Sequence, residues 1–364
     1  MKPKPGNLLL VLASLMPALA LAQYPGNYPA NYANIAAAAA KEGKLIIYSA
    51  TDAKAANPLI KDFEVIYPGI KVEYNDLNST ELYNRFISEA AAGAGSGDVL
   101  WSSAMDLQIK LVNDGYAQAY KSPEAAHIPN WALWRDQASG TTYEPIVFVY
   151  NKRLMPVEDV PQTHADLIKL LKNKADKYKG KVTTYDPERS GTGFIFVTQD
   201  LKNSPAFWDL AKSLGGSGVK LYTSTGAMLE GISSGQHLLG YNIIGSYAKA
   251  RAEKDPAIGI VYPKDYTLVM SRVLFIPKAA KNPNAAKLFI DYILSKRGQE
   301  IIANQSQLYS IRADVEGATT AAGLTKTLGA SLKPIAVGPG LMVYLDQAKR
   351  LEFLKQWQQA MGGR

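Results

Sequence analysis

The chain has 364 residues, no cysteine, and 40 lysine and arginine side chains against 32 aspartate and glutamate, a formal charge of +8. Without thiols there are no disulfides, thiolate metal sites or cysteine nucleophiles. The basic residues are scattered, with no basic helix or aromatic–basic ribbon, so nucleic acid is not an indicated partner; the surplus would still favour the approach of anions.

The N-terminus carries Lys2 and Lys4, then an apolar run from Leu8 to Ala22 that ends Ala20-Leu21-Ala22 before Gln23. A charged start, an apolar stretch and a small-x-small ending predict a cleaved export signal, residues 1–22. The run is shorter than the roughly 20 apolar residues a membrane span needs. With no cysteine to lipidate, the mature chain is expected to be free in the periplasm and monomeric, with charge +6 once Lys2 and Lys4 are removed. Its length suits two lobes of roughly 100–200 residues each.

From there strands and helices alternate. An alanine-rich helix over 32–42 stops at Gly43, and KLIIYS (44–49) reads as a strand. A helix is expected over 58–67, a strand over 71–75, a helix capped by Ser79 and running to 92, a strand over 98–101 and a helix over 105–115. A long β-rich run, YEPIVFVY, covers 143–150. A second cycle follows: helix 163–172, strand 181–185, helices 192–201 and 205–214, a helix from Ser224 or Thr225 to 233, strand 238–242, helix 245–254, strand 258–262 and a second long β run, 267–276. Alternation of this kind predicts parallel α/β sheets. The expected fold class is α/β, two doubly wound lobes joined by two crossing strands near 143–150 and 267–276. Residues 23–145 and 272–364 would form the first lobe and 146–271 the second.

In such sheets ligands gather beyond the carboxyl ends of strands, and at lobe interfaces. The loops that follow strands therefore supply the candidates: Ser49, Thr51 and Asp52; Ser102 and Ser103 after Trp101; Ser224 and Thr225; Asn242 and Tyr247. Each also reads as a helix cap or as core. Asp186-Pro-Glu-Arg-Ser190-Gly191-Thr192-Gly193 carries the most information, because glycines, hydroxyls and a helix start make a cradle for phosphate or carboxylate. It lacks the Gly-Lys-Ser/Thr ending of a nucleotide-binding loop. Glu144, at the start of a crossing, is placed to reach the cleft floor or to hold the lobes together. Arg189 and Arg272 are candidate charge partners. His127, His164 and His237 show no metal-ligand spacing and are expected on surface helices and loops, and no nucleophile elbow is evident.

The segments LIIYSATD, FEVIYPGIKVEY, GDVLWSS, YEPIVFVYNK, DPERSGTGF and FIDYILSKRGQEII, in this order, resemble the family 1 extracellular solute-binding proteins of ABC importers. The resemblance is to the branch holding receptors for ferric iron, hexose phosphates and phosphoglycerate, and it implies a type II periplasmic-binding fold, no enzymatic activity, no cofactor, and an inner-membrane permease as partner. In iron receptors of this kind a His, a Glu and two adjacent Tyr hold the metal; here the matching positions are Asp52, Ser103 and Tyr247-Ala248, a poor set for Fe³⁺. The part that holds phosphate beside the iron resembles Ser190-Gly191-Thr192. The expected ligand is a small anionic solute, an organic phosphate such as a sugar phosphate. A ferric-iron receptor is the alternative, and a secreted hydrolase using Glu144 or Asp186 a third reading.

Overall fold

The computed structural model describes residues 28–317 and 319–362. The expected signal, residues 1–22, lies outside the described residues. Among those described, no helix is long and apolar enough to cross a membrane.

The strands, in chain order, are β1 (Lys44–Ser49), β2 (Lys71–Asp76), β3 (Val99–Ser102), β4 (Leu133–Trp134), β5 (Ala138–Gly140), β6 (Glu144–Asn151), β7 (Val182–Tyr185), β8 (Lys220–Tyr222), β9 (Leu239–Ile244), β10 (Ile258–Val261), β11 (Thr267–Met270), β12 (Val273–Phe275) and β13 (Leu332–Pro334). They form two sheets. The first has the order β2-β1-β3-β12-β5-β4; the second has the order β13-β11-β6-β9-β7-β8, with β10 also paired to β6. β1 runs parallel to both β2 and β3, and β7 runs parallel to both β8 and β9.

The helices form where apolar spacing and caps coincide. Ala53–Ile66 buries Ala55, Ala56, Leu59 and Phe63, a one-sided stripe. It shares one core cluster with Leu45 and Ile47 of β1, both fully buried, and each such large side chain contributes about 1.5–3 kcal/mol by leaving water. This helix starts a turn earlier than Pro58 suggested, so Pro58 lies inside it. Helix Ser79–Ala91 is capped by Asn78 rather than Ser79, in a capping box with Glu81.

The chain passes between sheets at 141–143 and at 271–272. The two passages lie side by side: Thr141 N donates to Arg272 O at 2.9 Å, and Arg272 N to Thr142 Oγ1 at 2.9 Å. The first long β run, expected as a crossing, belongs wholly to the second sheet as β6; the crossing is the short stretch before it. The second run breaks at Ser271–Arg272 into β11 and β12, one strand for each sheet. A third passage departs from expectation. The chain does not stay with the first sheet after residue 272: β13 pairs in parallel with β11 of the second sheet. Helix Gln347–Ala360 then buries Phe353 and Trp357 against Phe207, with ring centroids 6.1 and 6.4 Å apart.

Candidate functional site

A cavity of about 360 Å³ lies between the lobes where the strand ends expected it. From the first lobe it is lined by Asp52, Asp76, Asn78, Ser79 and Ser103; from the second by Tyr185, Thr192, Ser224–Gly226 and Tyr247. The volume sits in the usual range for small-molecule pockets. A wider groove of about 750 Å³ runs past Tyr150, Gln162 and Tyr262, but there a helix presents its C-terminal end, at Thr327 and Leu328.

Helix starts converge on the cavity. Ser190 caps Gly191–Asn203 by accepting from Gly193 N at 3.1 Å, and Ser224 caps Thr225–Ser233 by accepting from Ala227 N at 3.3 Å. Asp52 precedes Ala53–Ile66, and Gly245–Ala252 begins just before Tyr247. The first N–H groups of a helix have no partner inside it and carry partial positive charge. At Gly226 a Cβ would meet nothing within 4 Å, so the backbone there is open to close approach.

The lobes touch directly around this space. Gly191 N donates to Thr80 Oγ1 at 3.0 Å, Thr192 N to Ser79 Oγ at 3.4 Å, and Thr80 Oγ1 to Arg189 O at 3.2 Å. The Ser103 and Thr192 hydroxyls are 2.7 Å apart, and Asp52 N donates to the Tyr247 hydroxyl at 3.1 Å. The donors expected in the Ser190–Gly193 cradle are therefore met by lobe-one hydroxyls in this closed arrangement, and by Ser190 itself at Gly193. A Cβ on Gly191 would lie 2.9 Å from Leu107 Cδ1 and 3.1 Å from Ala104 Cβ, both in the first lobe. A side chain at 191 would crowd this lobe contact and make Leu107 and Ala104 shift.

Beneath the cavity lies a buried ion pair. Arg272 Nε meets Glu144 Oε1 at 2.6 Å, and both side chains are 0% exposed. Arg272 Nη1 also donates to Thr51 Oγ1 at 3.0 Å and to Ala50 O at 3.3 Å, while Ser246 Oγ donates to Glu144. Burial opposes the guanidinium charge, but the Glu144 carboxylate outweighs it and Arg272 stays firmly protonated. Its guanidinium sits 5.1 Å from the Tyr247 ring centre. Glu144 and Thr51 thus hold the floor together and do not line the cavity. Burial pushes the Tyr247 hydroxyl up from its ordinary value and lifts Tyr185 to about 12. It also raises the Asp76 carboxyl, with the charge of Asp52 adding to the effect.

Other candidates fall elsewhere. Asn242 lies in the left-handed region, φ 59°, and its side chain donates to Asp200 at 2.7 Å; Asp200 is also met by Tyr241 and Tyr266. Asn242 serves the interior of the second lobe and is not among the cavity residues. Ser102 accepts from Ala104 N, and Ser49 from Thr51 N, each bracing its own loop. His164 and His237 are buried, not superficial: His164 stacks on Tyr266 with centroids 4.0 Å apart and pairs with Asp265, and His237 Nε2 lies 2.8 Å from the Tyr222 hydroxyl. Trp101 is core, donating to Thr141. Sequence reasoning missed Asp76, Asn78, Ser79 and Thr80 as site residues, although they follow β2 as the rule on strand ends requires. Among the described residues no group of three or more His, Cys, Asp or Glu is placed to hold a metal.

Two α/β lobes closing on a polar cavity at strand ends, connected by paired crossings, define a solute-binding protein of the type II periplasmic-binding fold. A family model of bacterial extracellular solute-binding proteins matches residues 58–326, and the chain belongs to that family. It is 43% identical to the crystallised substrate-binding protein of an ABC transporter from Agrobacterium tumefaciens, with a TM-score of 0.84 over 87% of this chain and 94% of that one. It shares its fold with fructose-6-phosphate-bound AfuA of Actinobacillus pleuropneumoniae (22% identity, TM-score 0.73, 88% of this chain and 99% of that one). The same holds for iron-bound HitA of Pseudomonas aeruginosa (20%, TM-score 0.67, 87% and 99%). An uncharacterized protein of Haemophilus influenzae is 24% identical over 76% of this chain and 80% of its own length. The phosphoglycerate transport regulatory protein PgtC of Salmonella typhimurium is 28% identical over 35% of this chain, which spans only 32% of PgtC.

Proposed function

We propose that this chain is the periplasmic substrate-binding component of an ABC importer and that the interlobe cavity captures a small phosphate-bearing solute. The observation that carries this reading is the meeting of two hydroxyl-capped helix starts, at Thr192 and at Thr225–Gly226, on one cavity wall. Helix starts of this kind suit phosphate oxygens, through N–H donors and partial positive charge. In the closed arrangement the Gly191 and Thr192 N–H groups stay with Thr80 and Ser79, so the Thr192 hydroxyl and the Thr225–Gly226 helix start are what the second lobe offers the solute. Closure about the 141–143 and 271–272 passages then adds lobe-one contacts, so solute selects the closed state. The closed chain, a monomer freed of residues 1–22, would dock on an inner-membrane permease.

Relatives of this fold bind a sugar phosphate or iron. One feature favours phosphate over iron here. Of the four positions that match the iron ligands, Ser103 and Ala248 offer no anionic oxygen, which leaves one carboxylate, Asp52, and one tyrosine, Tyr247, a poor set for Fe³⁺. The transport reading is favoured over a hydrolase, since Glu144 is paired with Arg272 and Asp186 accepts from Glu188 N at 2.9 Å.

A thermal-shift panel tests the proposal. Hexose phosphates, phosphoglycerate, inorganic phosphate, carboxylates and Fe³⁺ with and without phosphate are each added to the mature protein. At 100 times its dissociation constant a ligand stabilises the fold by about 2.7 kcal/mol. A shift with phosphate esters supports the reading; a shift with Fe³⁺ alone, accompanied by visible colour, overturns it.

A further inference from the structure

The charges around the cavity are unequal. Asp52 and Asp76 line it from the first lobe, and among the described residues no lysine, arginine or histidine lines it from either side. Arg272, beneath the floor, is already paired with Glu144. Asp76 Oδ2 accepts from Ala53 N at 2.8 Å, which fixes that carboxylate at the start of the Ala53–Ile66 helix beside Asp52. The second lobe opposes them with neutral hydroxyls and the starts of two helices. A phosphate ester whose remainder is a plain polyol would put further negative charge into this space opposite two carboxylates with no cation lining it. An ammonium group on the far end of the same solute would sit between Asp52 and Asp76 and cancel their charge, while the phosphate kept the helix starts.

We propose that the solute is an amino-bearing phosphate ester, a zwitterion held with its phosphate on the second lobe and its ammonium on Asp52 and Asp76. This rests on the phosphate reading above and narrows it. The polarity is built into the two walls: the lining carboxylates come from lobe one, and the two hydroxyl-capped helix starts, after Ser190 and Ser224, come from lobe two. Closure therefore selects a solute that is long enough to span both and bears opposite charges at its ends.

Matched pairs test it by isothermal titration of the mature protein. In 2-aminoethyl phosphate against 2-hydroxyethyl phosphate, and in glucosamine 6-phosphate against glucose 6-phosphate, the ammonium is exchanged for a hydroxyl at constant size. Ethanolamine and glucosamine serve as amines without phosphate. The amino member of at least one pair should bind tenfold or more tightly than its hydroxyl partner, and D52N and D76N should each pull that ratio towards one. The melting temperature of each unliganded variant verifies that it is folded. Equal affinity within both pairs, or a ratio unmoved by both variants, overturns the ammonium site and leaves the phosphate reading standing. Free amines binding as tightly as their phosphates would instead overturn the phosphate reading. If no member of either pair binds, both are wrong.

Discussion

The buried pair under the cavity gives the sharpest energetic prediction. Arg272 and Glu144 are each fully buried, and the guanidinium makes four contacts, two to Glu144 and one each to Thr51 and Ala50. Arg272→Met keeps the volume of the stem but leaves the Glu144 carboxylate in the interior with Ser246 alone. Removing one member of such a pair costs about 3–5 kcal/mol, because the remaining charge stays desolvated. Glu144→Gln removes the charge and keeps an acceptor for the guanidinium, which then becomes the uncompensated group. In the double variant neither charge remains, so the summed single losses should exceed the double loss by about 1–3 kcal/mol, as expected for residues in contact. Denaturant unfolding of the four proteins at neutral pH measures the cycle. Simple additivity, or a loss under about 1 kcal/mol for Arg272→Met, would refute the assignment of this pair as a desolvated clamp between the crossings and the first lobe.

Gly191→Ala should leave the unliganded melting temperature almost unchanged but weaken solute binding tenfold or more, since its Cβ meets Leu107 and Ala104 only when the lobes close; solution scattering should then show no contraction on adding ligand. Trp357→Ala should destabilise the second lobe by about 3–5 kcal/mol by opening a hole in its core, whereas a helix merely lying on the surface would lose far less in thermal unfolding. Burial lifts the Asp106 carboxyl to about 7, so the native state holds a proton that the unfolded chain releases above pH 4. The stability it contributes is complete below that pH and lost as pH rises through 7. Asp106→Asn should therefore stabilise the protein more at pH 8 than at pH 5, and equal gains at both would contradict the shift.

Much of the architecture was legible because it is local. KLIIYS and the segment at 98–101 are short apolar runs, the segment at 71–75 alternates, and each lies in a strand of the first sheet. The Ser190 and Ser224 caps were readable because a hydroxyl before a helix has one common use. What escaped reading depends on partners far along the chain. Ser79 looks like a cap, yet its hydroxyl meets Thr192, 113 residues away. Leu332–Pro334 is too short to signal a strand, and only its register with β11 makes it one. Asn242 reads as a strand end in the sequence, but β9 runs on to Ile244 and the buried Asp200 claims its side chain, and Asp200 carries no mark in the sequence beyond an ordinary helix position.

The most direct test of the central claim is a crystal structure of the mature protein with a phosphate ester identified by thermal shift. The account predicts closed lobes with the phosphorus beside Thr192 and the Thr225–Gly226 backbone, and the rest of the solute turned towards Asp52 and Asp76. A phosphate seated outside the interlobe cavity, or a metal ion held by Tyr247 in its place, would contradict it.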